Sequence, residues 1–502
     1  METNDQVEAR LEKLQRLRET GVNPYPYGFA VSHDSAALLA DKDKLLVAVE
    51  NGATGPEITF AGRIVRYNLK GKLAFVHLKD GEGRQQVMFG RDAVGEPGFE
   101  LVKLLDIGDW VGVKGYMFIT RTGEYTVHAA TVTLLSKAVR PLPIPKEKIE
   151  DGKKVIFDEF KDLETRYRQR YVDLALNDGV RETFRKRSRV IQSIREYLLR
   201  RDYLEVETPV LQPIYGGAAA RPFSTHHNAL DIPLYLRVSN ELYLKRCIVG
   251  GFPKVFEFAK DFRNEGIDRT HNPEFTLLEF YEAWADYNDM MVHFENVYAA
   301  ACVAANGSPS FTFQGKTFDL TPPWPRLTVK EAIRKYAGLD VDTMSDDALK
   351  AELAKAEVEL PGRYLRGLAI KALFETHCEA QLEGPVFIID FPKESTPLCK
   401  VHRNDPSLVE QFEPYINGWE VGNAYSELND PLEQRRLLEE QVARGRGGED
   451  ETHPLDEDFL RALEYGMPPT GGIGIGIDRM IMLLTDNPNI KDVLLFPLMK
   501  PE

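Results

Sequence analysis

The chain lacks the sequence features of several large protein classes. Its 502 residues include only four cysteines, which are far apart and form no Cys-x-x-Cys pair. We therefore expect neither a disulfide framework nor a structural zinc site. The low cysteine content is typical of a protein in a reducing compartment. No apolar run approaches the ~20 residues that a membrane helix needs. The first residues, Met1-Glu-Thr-Asn-Asp-Gln, are polar and acidic, unlike a secretory signal. We therefore expect a cytoplasmic protein that makes no contact with a membrane.

Two common phosphate-binding motifs are missing as well. The pattern Gly-x-x-x-x-Gly-Lys-Ser/Thr does not occur, and the glycine-rich stretch from Gly471 to Ile477 lacks the spacing Gly-x-Gly-x-x-Gly. If the chain uses ATP, arginines must hold the phosphates. Arg479, just after these glycines, suits that role, although it could equally be a surface arginine beside a tight strand-to-helix turn. Asp478 is expected to cap the helix that follows.

The bulk composition predicts a globular protein of more than one domain. The hydrophobic fraction is 43%, and the length leaves ample material for a core. The net charge of −15 argues against non-specific coating of nucleic acid but permits a local basic patch. We expect an N-terminal helical extension over 1–56, a β-barrel over 57–137, a linker over 138–164, and a large α+β domain over 165–502 with a helical insertion at about 285–380.

The barrel prediction rests on five short alternating strands between Ile58 and Leu135. Five strands in about eighty residues are typical of an OB barrel, whose open face commonly stacks single-stranded bases. Arg63, Phe75, Gln86 and Glu124 are the candidates for such a face, and the alternative is that Phe75 belongs to the core. The preceding helix, from Asp5 to about Thr20, carries Arg10, Lys13, Arg16 and Arg18, which are either a phosphate-binding surface or a solvated face. Its apolar side is expected to comprise Val7, Leu11, Leu14 and Leu17.

A long-looped antiparallel hairpin organises the large domain. The segment Lys254–Phe262 alternates, Glu274–Tyr281 is rich in aromatic residues, and a polar loop joins them. Strand parity places Glu257, Asp261 and Arg263 on one face, and Phe275, Glu279 and Tyr281 on one face of the second strand. A face that mixes acids, arginine and aromatic residues suits a ligand better than a core, although a solvated sheet face is the alternative.

A second hairpin turns at Asn417-Gly418, the favoured pair for a type I′ turn. Pairing outward from that turn places Glu413 and Glu420 on one face, where two carboxylates repel unless a cation lies between them. Mg²⁺ takes such ligands together with phosphates, and the alternative is two splayed surface acids. Asn423, Tyr425 and Glu427 share a face by parity, and Glu420 joins them only if the strand bulges, most naturally at Gly422.

The motifs of this chain resemble those of class II aminoacyl-tRNA synthetases. The helix over Arg181–Arg201 and the strand that ends in Glu207-Thr-Pro209 resemble motif 1, Phe262-Arg-Asn-Glu with His271-Asn-Pro-Glu-Phe resembles motif 2, and Gly474-Ile-Gly-Ile-Asp-Arg479 resembles motif 3. A barrel ahead of that domain is the layout of subclass IIb. Gly216-Gly-Ala-Ala-Ala-Arg-Pro-Phe, Glu241-Leu-Tyr-Leu-Lys-Arg, Asn423-Ala-Tyr-Ser-Glu and Leu463-Glu-Tyr-Gly-Met-Pro-Pro-Thr resemble the lysyl-tRNA synthetases within it.

This resemblance implies an activity and a set of roles. The expected reaction is ATP-dependent activation of lysine and its transfer to the 3′ end of tRNA(Lys) by a homodimer that uses Mg²⁺. The implied ATP site comprises Arg263, Glu265, His271, Asn272, Phe275 and Arg479, of which Arg263 and Arg479 are catalytic. The implied lysine site comprises Gly216, Glu241, Arg263, Glu279, Tyr281, Asn423, Tyr425 and Glu427. Glu413 and Glu420 are the implied metal ligands, and Arg63, Phe75, Gln86 and Glu124 the implied readers of a U-rich anticodon.

Two departures from the family pattern stand out. The stretch from Lys146 to Glu159 is longer than the linker of many bacterial relatives, and we expect it to be irregular. Tyr425 stands where several relatives have Phe. Three competing functions are a lysine ligase that acts on a protein, an aspartate or asparagine enzyme, and a protein that only binds RNA. The barrel opposes the first, Glu279 and Glu427 oppose the second, and Arg263, Arg479, Glu413 and Glu420 oppose the third.

Overall fold

The computed structural model describes residues 5–46, 54–150, 153–157, 160–360, 362–446 and 453–501. The chain divides into two compact units, Met1–Asp162 and Leu163–Glu502. None of the helices among these described residues is long and apolar enough to cross a membrane.

The first unit is built on a closed five-stranded barrel. Its strands follow the order β1-β2-β3-β5-β4, and all neighbours pair antiparallel except β3 and β5. The bounds are α1 (Asp5–Glu19), α2 (Ser35–Ala40), α3 (Lys42–Leu45), β1 (Ile58–Lys70), β2 (Leu73–Lys79), β3 (Arg84–Gly90), α4 (Arg91–Leu104), β4 (Trp110–Ile119), β5 (Tyr125–Ser136), β6 (Lys146–Glu150) and β7 (Lys153–Phe157). The predicted strands and the OB barrel are confirmed.

Helix α1 packs through a mixed face. Val7, Leu14 and Leu17 are buried as expected, but Leu11 is 37% exposed and the buried position on that side belongs to Arg10. The Arg10 guanidinium donates to the carbonyls of Ile107 and Ala138, both at 2.9 Å. Lys13 pairs with Asp106 at 2.6 Å. Two of the four basic residues thus attach the helix to the barrel, which favours an ordinary packed helix over a phosphate surface.

The region expected to be an irregular linker contains a hairpin. Strands β6 and β7 pair antiparallel over five residues each, from Lys146 opposite Phe157 to Glu150 opposite Lys153. The high charge suggested a coil, but β-branched residues at 149, 155 and 156 favour extended backbone. Residues 151–152 and 158–159 of the predicted linker lie outside the described residues.

A nine-stranded sheet carries the second unit. The strand order is β16-β17-β18-β20-β21-β13-β12-β8, and β19 pairs with β18. The second unit also contains a three-stranded sheet, β10-β11-β9, and the hairpin β14-β15. The bounds of all these strands are β8 (Leu204–Glu205), β9 (Leu211–Gln212), β10 (Ser224–His227), β11 (Ile232–Leu236), β12 (Lys254–Phe262), β13 (Glu274–Ala283), β14 (Ser310–Phe313), β15 (Lys316–Asp319), β16 (Arg326–Thr328), β17 (Val386–Pro392), β18 (Leu408–Ile416), β19 (Trp419–Glu420), β20 (Gly422–Ser426) and β21 (Thr470–Gly476). The sheet is antiparallel through its centre and parallel at both edges, where β16 joins β17 and β8 joins β12.

Helices surround this sheet. They are α5 (Leu163–Arg168), α6 (Arg170–Leu176), α7 (Asp178–Leu199), α8 (Glu241–Val249), α9 (Tyr287–Asn306), α10 (Val329–Tyr336), α11 (Asp346–Lys355), α12 (Arg366–His377), α13 (Pro431–Arg446), α14 (Glu457–Glu464), α15 (Ile477–Leu484) and α16 (Ile490–Val493). The largest core cluster joins side chains of α7, α9 and α15 to one face of the sheet, with Ile194, Phe294 and Ile481 fully buried. On the other face, further core clusters join α8 and α14 to β12 and β13, and α10, α11 and α12 to β17 and β18. A polar cavity also opens on that face.

Both predicted hairpins are present, and the second has the register predicted from its turn. Strands β12 and β13 place Glu257 opposite Glu279 and Asp261 opposite Phe275, so the acids and aromatic residues share a face. Strands β18 and β19 place Tyr415 opposite Glu420. Asn417 and Gly418 have φ values of 53° and 71°, the left-handed pair that a type I′ turn requires.

Candidate active site

One cavity of about 570 Å³ in the second unit gathers nearly all the predicted site residues of that unit. Its walls come from β13, β18, β20 and β21, from the β12–β13 loop, and from the start of α8. The predicted residues that line it are Glu241, Arg263, Glu265, His271, Asn272, Phe275, Glu279, Tyr281, Glu413, Glu420, Asn423, Tyr425, Glu427 and Arg479. The exception is Gly216, which is buried against Leu242, while its neighbour Gly217 lines the cavity.

One end of the cavity is open and arginine-rich. The Arg263 guanidinium lies 5.1 Å from the centre of the Phe275 ring, a cation–π contact. Its Nε donates to the Val238 carbonyl at 3.4 Å, and its backbone N–H holds the Pro273 carbonyl at 2.9 Å. Phe275 is only half-buried, so one side of its ring remains available for a flat ligand.

Arg479 ties this end to the second hairpin. One guanidinium nitrogen donates to the Glu420 carbonyl at 2.7 Å, and another lies 2.9 Å from His271 Nε2. The other nitrogen of that His271 ring lies 2.8 Å from Asp268. Despite some burial, hydrogen bonds from Thr270 and His271 lower the pKa of Asp268 to about 2. A chain of charged contacts thus runs from the motif 2 loop to α15.

Asp478 has a different role from the one predicted. It does not cap α15, whose first residue is preceded by Gly476 with no side-chain cap. Instead one carboxylate oxygen accepts from Arg187 at 2.6 Å and the other accepts from the Thr276 backbone N–H at 2.7 Å. Both of its oxygens are thus taken by partners outside α15, so the side chain does not bond the free N–H groups of that helix. It fastens β13, α7 and α15 together at the wall of the cavity, which it also lines.

Glu413 and Glu420 lie side by side on the cavity wall, as predicted. Burial first, and then the charge of Glu420, raise the pKa of Glu413 to about 8, although Lys371 opposes that shift. Glu413 also accepts hydrogen bonds from Tyr415 at 2.8 Å and Gln411 at 3.2 Å. A crowded pair of carboxylates that resists ionisation is the setting in which a bound divalent cation is favoured, so the residues present fit Mg²⁺.

The predicted bulge between these acids and the next strand is confirmed. Tyr415 faces Glu420, but Phe412 faces Ala424, so one extra residue lies on the strand after the turn. Gly422 stands at this break, and a Cβ there would lie 2.6 Å from the Phe294 ring and 2.7 Å from the Gly474 carbonyl. The bulge turns Glu420 onto the same side as Asn423, Tyr425 and Glu427, all of which line the cavity.

The other end of the cavity is buried and acidic. Glu279 is 4% exposed and accepts from Ser239 at 2.8 Å and from the Tyr281 hydroxyl at 2.9 Å. Burial, and then the nearby charge of Glu241, raise the pKa of Glu279 well above its usual range. Glu241 is 5% exposed at the start of α8. Three carboxylates, those of Glu241, Glu279 and Glu427, therefore share one poorly hydrated space.

Glu427 is the most buried of the three. Burial raises its pKa to about 8 against the attraction of Lys245, whose Nζ lies 2.5 Å away. Its Oε1 is enclosed but has no hydrogen-bond partner within the described ranges. Gly472 makes room for it, because a Cβ there would lie 2.0 Å from Glu427 Oε1 and 2.4 Å from the Tyr281 ring. Because a buried carboxylate oxygen without a partner is costly, this oxygen should bind a cationic group of a ligand strongly.

The barrel of the first unit carries the remaining candidates on its outer surface. On β2 the core positions are Ala74, Val76 and Leu78, so Phe75 lies on the opposite, half-exposed face and the core alternative is wrong. Gln86 lies opposite His77 and accepts from Thr126 at 2.8 Å. His77 also lies 3.3 Å from Glu124. Arg63 covers the Trp110 ring at 4.9 Å, and burial lowers its pKa.

Comparison with known proteins decides the family. A family model described as "tRNA synthetases class II (D, K and N)" matches residues 162–500, and one described as "OB-fold nucleic acid binding domain" matches residues 58–135. A lysine–tRNA ligase of Moorella thermoacetica is 49% identical over 502 residues, which cover 99% of this chain and 98% of that protein. This chain belongs to the lysine–tRNA ligase family of class II synthetases. Lysine–tRNA ligases of Porphyromonas gingivalis and Clostridium novyi are each 48% identical over the full length of this chain, covering 86% and 95% of those proteins.

Family membership did not point to every residue of this site. The motifs of the lysine–tRNA ligase family led to the cavity walls, but three supporting residues were missed. Ser239 bonds to Glu279, Lys245 to Glu241, and Gln411 to Asn423. Lys245 could have been found, because it follows Glu241 by four residues and therefore lies beside it on one helix face. Ser239 and Gln411 carry no local pattern that would single them out.

Proposed function

We propose that this chain activates lysine with ATP and transfers it to the 3′ end of tRNA(Lys). The observation that carries the proposal is the buried acidic end of the cavity, with the unpaired Glu427 Oε1 beside Tyr281 and Glu279. A long cationic side chain is the ligand that such an end accepts. An uncharged amino acid would leave this carboxylate desolvated and unpaired. The resulting preference for lysine over an uncharged amino acid can reach ~10⁴–10⁵.

The buried end would hold lysine through both of its ammonium groups. Glu427, with Glu279 and Tyr281, would receive the ε-ammonium. Glu241 and the glycine backbone at Gly216 and Gly217 would receive the α-ammonium. Asn423 and Arg263 would hold the α-carboxylate at the boundary between the two ends, and Tyr425 would close the wall beside the aliphatic chain.

The open end would hold ATP. Phe275 would stack on the adenine, Arg263 would bind the α-phosphate, and Arg479 the γ-phosphate. Glu265, His271 and Asn272 line the same end and would contact the nucleotide from the motif 2 loop. The lysine carboxylate would attack the α-phosphorus and pyrophosphate would leave. No side chain need act as a nucleophile, so the protein contributes by positioning the two substrates and stabilising charge.

Glu413 and Glu420 would hold Mg²⁺ at this end. When bound, the ion would offset the charge of the triphosphate and help align it. Burial, and then the charge of Glu420, raise the pKa of Glu413 to about 8, and a bound cation would favour its ionised form; this charge arrangement supports the proposal.

The outer face of the barrel would read the anticodon. Phe75 would stack on a base, and Arg63, Gln86 and Glu124 would bond to base edges of a U-rich sequence. Support comes from the half-exposed ring of Phe75 and from the position of Gln86 and Glu124 around His77 on the same face. Replacement of Phe75 by Ala should weaken tRNA charging roughly 5–100-fold, the usual worth of one stacked base, and leave lysine activation without tRNA unchanged.

A homodimer in the cytoplasm is the form we propose. The edge strand β8 and its neighbourhood expose apolar side chains, among them Leu199 at 49%, Leu204 at 44% and Leu211 at 49%. A group of this kind at a sheet edge suits a second copy of the chain. Sedimentation analysis of the wild-type protein and of Leu204→Glu would test it, since the charged variant should shift the protein toward the monomer.

The deciding experiment is amino-acid-dependent ATP–pyrophosphate exchange with all twenty amino acids. Exchange with lysine alone is expected. Exchange with aspartate or asparagine would overturn the pocket assignment, and no exchange at all would overturn the enzyme function. A tRNA without its anticodon bases then tests the acceptor, since unimpaired charging of that RNA would argue against the proposed use of the barrel.

A further inference from the structure

A lysine of the protein itself lies behind the acidic end of the cavity. Lys245 on α8 has no exposed side-chain surface. Its Nζ lies 2.6 Å from Glu241 Oε1 and 2.5 Å from Glu427 Oε2. The two carboxylates come from different parts of the fold, one from the preceding turn of α8 and the other from the chain just beyond β20. A single buried ammonium therefore joins them.

These two carboxylates are the ones that the proposed function assigns to the two ends of lysine. Lys245 does not line the cavity, whereas Glu241 and Glu427 do. It contacts one oxygen of Glu427 and leaves Oε1 of that residue without a partner in the described part of the chain. The ammonium thus fixes each acid from behind and leaves the cavity side of Glu427 to the ligand.

The charges at this end balance only if Lys245 is counted. Glu241, Glu279 and Glu427 carry three negative charges when ionised, and Lys245 offsets one of them. Two negative charges remain, which equals the two ammonium groups of lysine, while the lysine carboxylate has Arg263 as its partner. Burial disfavours an ammonium, but Glu241 and Glu427 together hold the pKa of Lys245 above its usual value, so it stays charged.

We propose that Lys245 is a positioning residue for lysine selection: a fixed internal counter-ion that holds Glu241 and Glu427 at a set spacing and offsets part of their negative charge, so that the pocket matches an amino acid with two ammonium groups. This inference rests on the proposed function. Lys245 touches no substrate and acts only through the two carboxylates.

Loss of the internal cation should change the pH dependence of lysine binding. The groups that face Glu427 from the surrounding elements are Glu241 and Lys245 of α8, Glu279 and Tyr281 of β13, Tyr425 of β20, and Cys399, Lys400 and His453 of the neighbouring loops. Without Lys245 the three acids repel one another unopposed, so they hold protons to higher pH. Because protonated carboxyls bind ammonium groups weakly, lysine affinity should recover only at higher pH than in the wild type.

The test compares Lys245→Met with the wild type in lysine-dependent ATP–pyrophosphate exchange from pH 6 to 9.5. At pH 7 the KM for lysine should rise on the order of 10²-fold, since the acids that receive its ammonium groups then hold protons at that pH. The KM for ATP should stay within about twofold, and the pH at which the lysine KM levels off should move upward by roughly one unit or more. An unchanged lysine KM and pH profile in a folded variant would overturn the proposal.

A rescue experiment separates a counter-ion from a packing role. Lys245→Ala leaves space for a small amine, so propylammonium should restore lysine activation in a concentration-dependent way. Propanol, of equal size and no charge, should not. Equal restoration by both compounds would show that only volume matters and would overturn the inference.

Two further variants separate the effect of the Lys245 charge from a general effect on the helix or on folding. Arg246→Met removes the next cation of the same helix, which pairs with Asp456 at 2.8 Å away from the cavity, and it should leave the lysine KM and pH profile unchanged. If Lys245→Met does not fold, Lys245→Gln, whose side chain is one atom shorter, keeps a hydrogen-bond donor without the charge, and the same displaced pH profile is expected. A wild type that activates no lysine would defeat the proposed function, whereas an active wild type with unaltered Lys245→Gln kinetics would defeat only the present inference.

Discussion

The two ends of the cavity differ in how far their charged groups are exposed to water. At the end proposed for ATP, Arg263, His271 and Arg479 lie on a loop and a helix start, where the two arginines are half-buried and His271 is exposed. Their contacts are with backbone carbonyls, the Phe275 ring, Asp268 and one another. At the end proposed for lysine, Glu279 and Glu427 are almost fully buried, and their partners come from the packed sheet and α8. Water competes at the first end and is largely absent from the second.

Because of this difference, we expect the buried end to select the amino acid. A charged group in water loses little when its ligand is wrong, because the solvent replaces the missing contact. A desolvated carboxylate has no such substitute, so a ligand without a matching ammonium is rejected strongly. We therefore expect substitutions at the lysine end to affect substrate choice and those at the ATP end to affect rate.

The largest expected effect is that of Glu427→Gln. The change keeps the shape of the side chain but removes the charge opposite the ε-ammonium, and it leaves Lys245 paired with Glu241 alone. The kcat/KM for lysine in pyrophosphate exchange should fall about 10³-fold, with the KM for ATP little changed. Glu464→Gln, an exposed change on α14, serves as the control. A loss of less than tenfold would break the comparison, because it would mean that the buried end does not select.

The next effect is at the open end. Arg479→Ala removes the guanidinium that lies between Glu420 and His271, and exchange should slow about 10²-fold at saturating lysine. The lysine KM should change little. Arg479→Lys keeps the charge but not the forked geometry, so it should recover part of the rate and no more. A selective rise in the lysine KM for either variant would contradict the proposed division between the two ends.

The sequence was a good guide to this cavity where a local pattern sets the geometry. Strand parity placed Glu257, Asp261, Phe275 and Glu279 on one face, and the Asn417-Gly418 turn set the Glu413–Glu420 register. Even the bulge at Gly422 followed from the requirement that Glu420 join the residues after it. Each of these inferences needs only the chain between two neighbouring strands.

It was a poor guide where distant segments meet. Asp478 looked like a helix cap, yet its partners Arg187 and Thr276 lie about 290 and 200 residues earlier in the chain. No role was predicted for Lys245 from the sequence, because only the packing of α8 against the chain just beyond β20 makes it a buried partner of Glu427. The hairpin over Lys146–Phe157 was missed because its charge outweighed its β-branched residues in the prediction.

A smaller effect should follow from Gly472→Ala. The added methyl would lie 2.0 Å from Glu427 Oε1 and 2.4 Å from the Tyr281 ring, so both must move. Overpacking of this size usually costs about 1–3 kcal/mol, which corresponds to a rise in the lysine KM of roughly 5–150-fold. The ATP KM should not follow, because the open end is untouched. Thermal unfolding of the variant would show whether the loss lies in the pocket or in the whole fold.

The smallest effect expected is the pH dependence of the wild type itself, and it sharpens the comparison without any substitution. Burial raises the pKa of Glu427 to about 8, so it holds a proton at pH 6 in the free protein, and burial also raises the pKa of Glu279 well above its usual range. Lysine binds the ionised carboxylates, so its affinity should rise as the pH approaches 8. The rise is at most tenfold per pH unit for each proton that binding releases. At the ATP end Asp268 has a pKa of about 2 and does not titrate in this range. Glu413 at that end has a pKa of about 8, but it is not among the proposed contacts of lysine, so it should release no proton when lysine binds without ATP. Calorimetric titrations with lysine between pH 6 and 8.5, in buffers of different ionisation enthalpy, would measure both the affinity and the protons released. If lysine affinity is flat across this range and no proton is released, the carboxylates of the buried end are already ionised in the free protein, and burial is not what distinguishes the two ends.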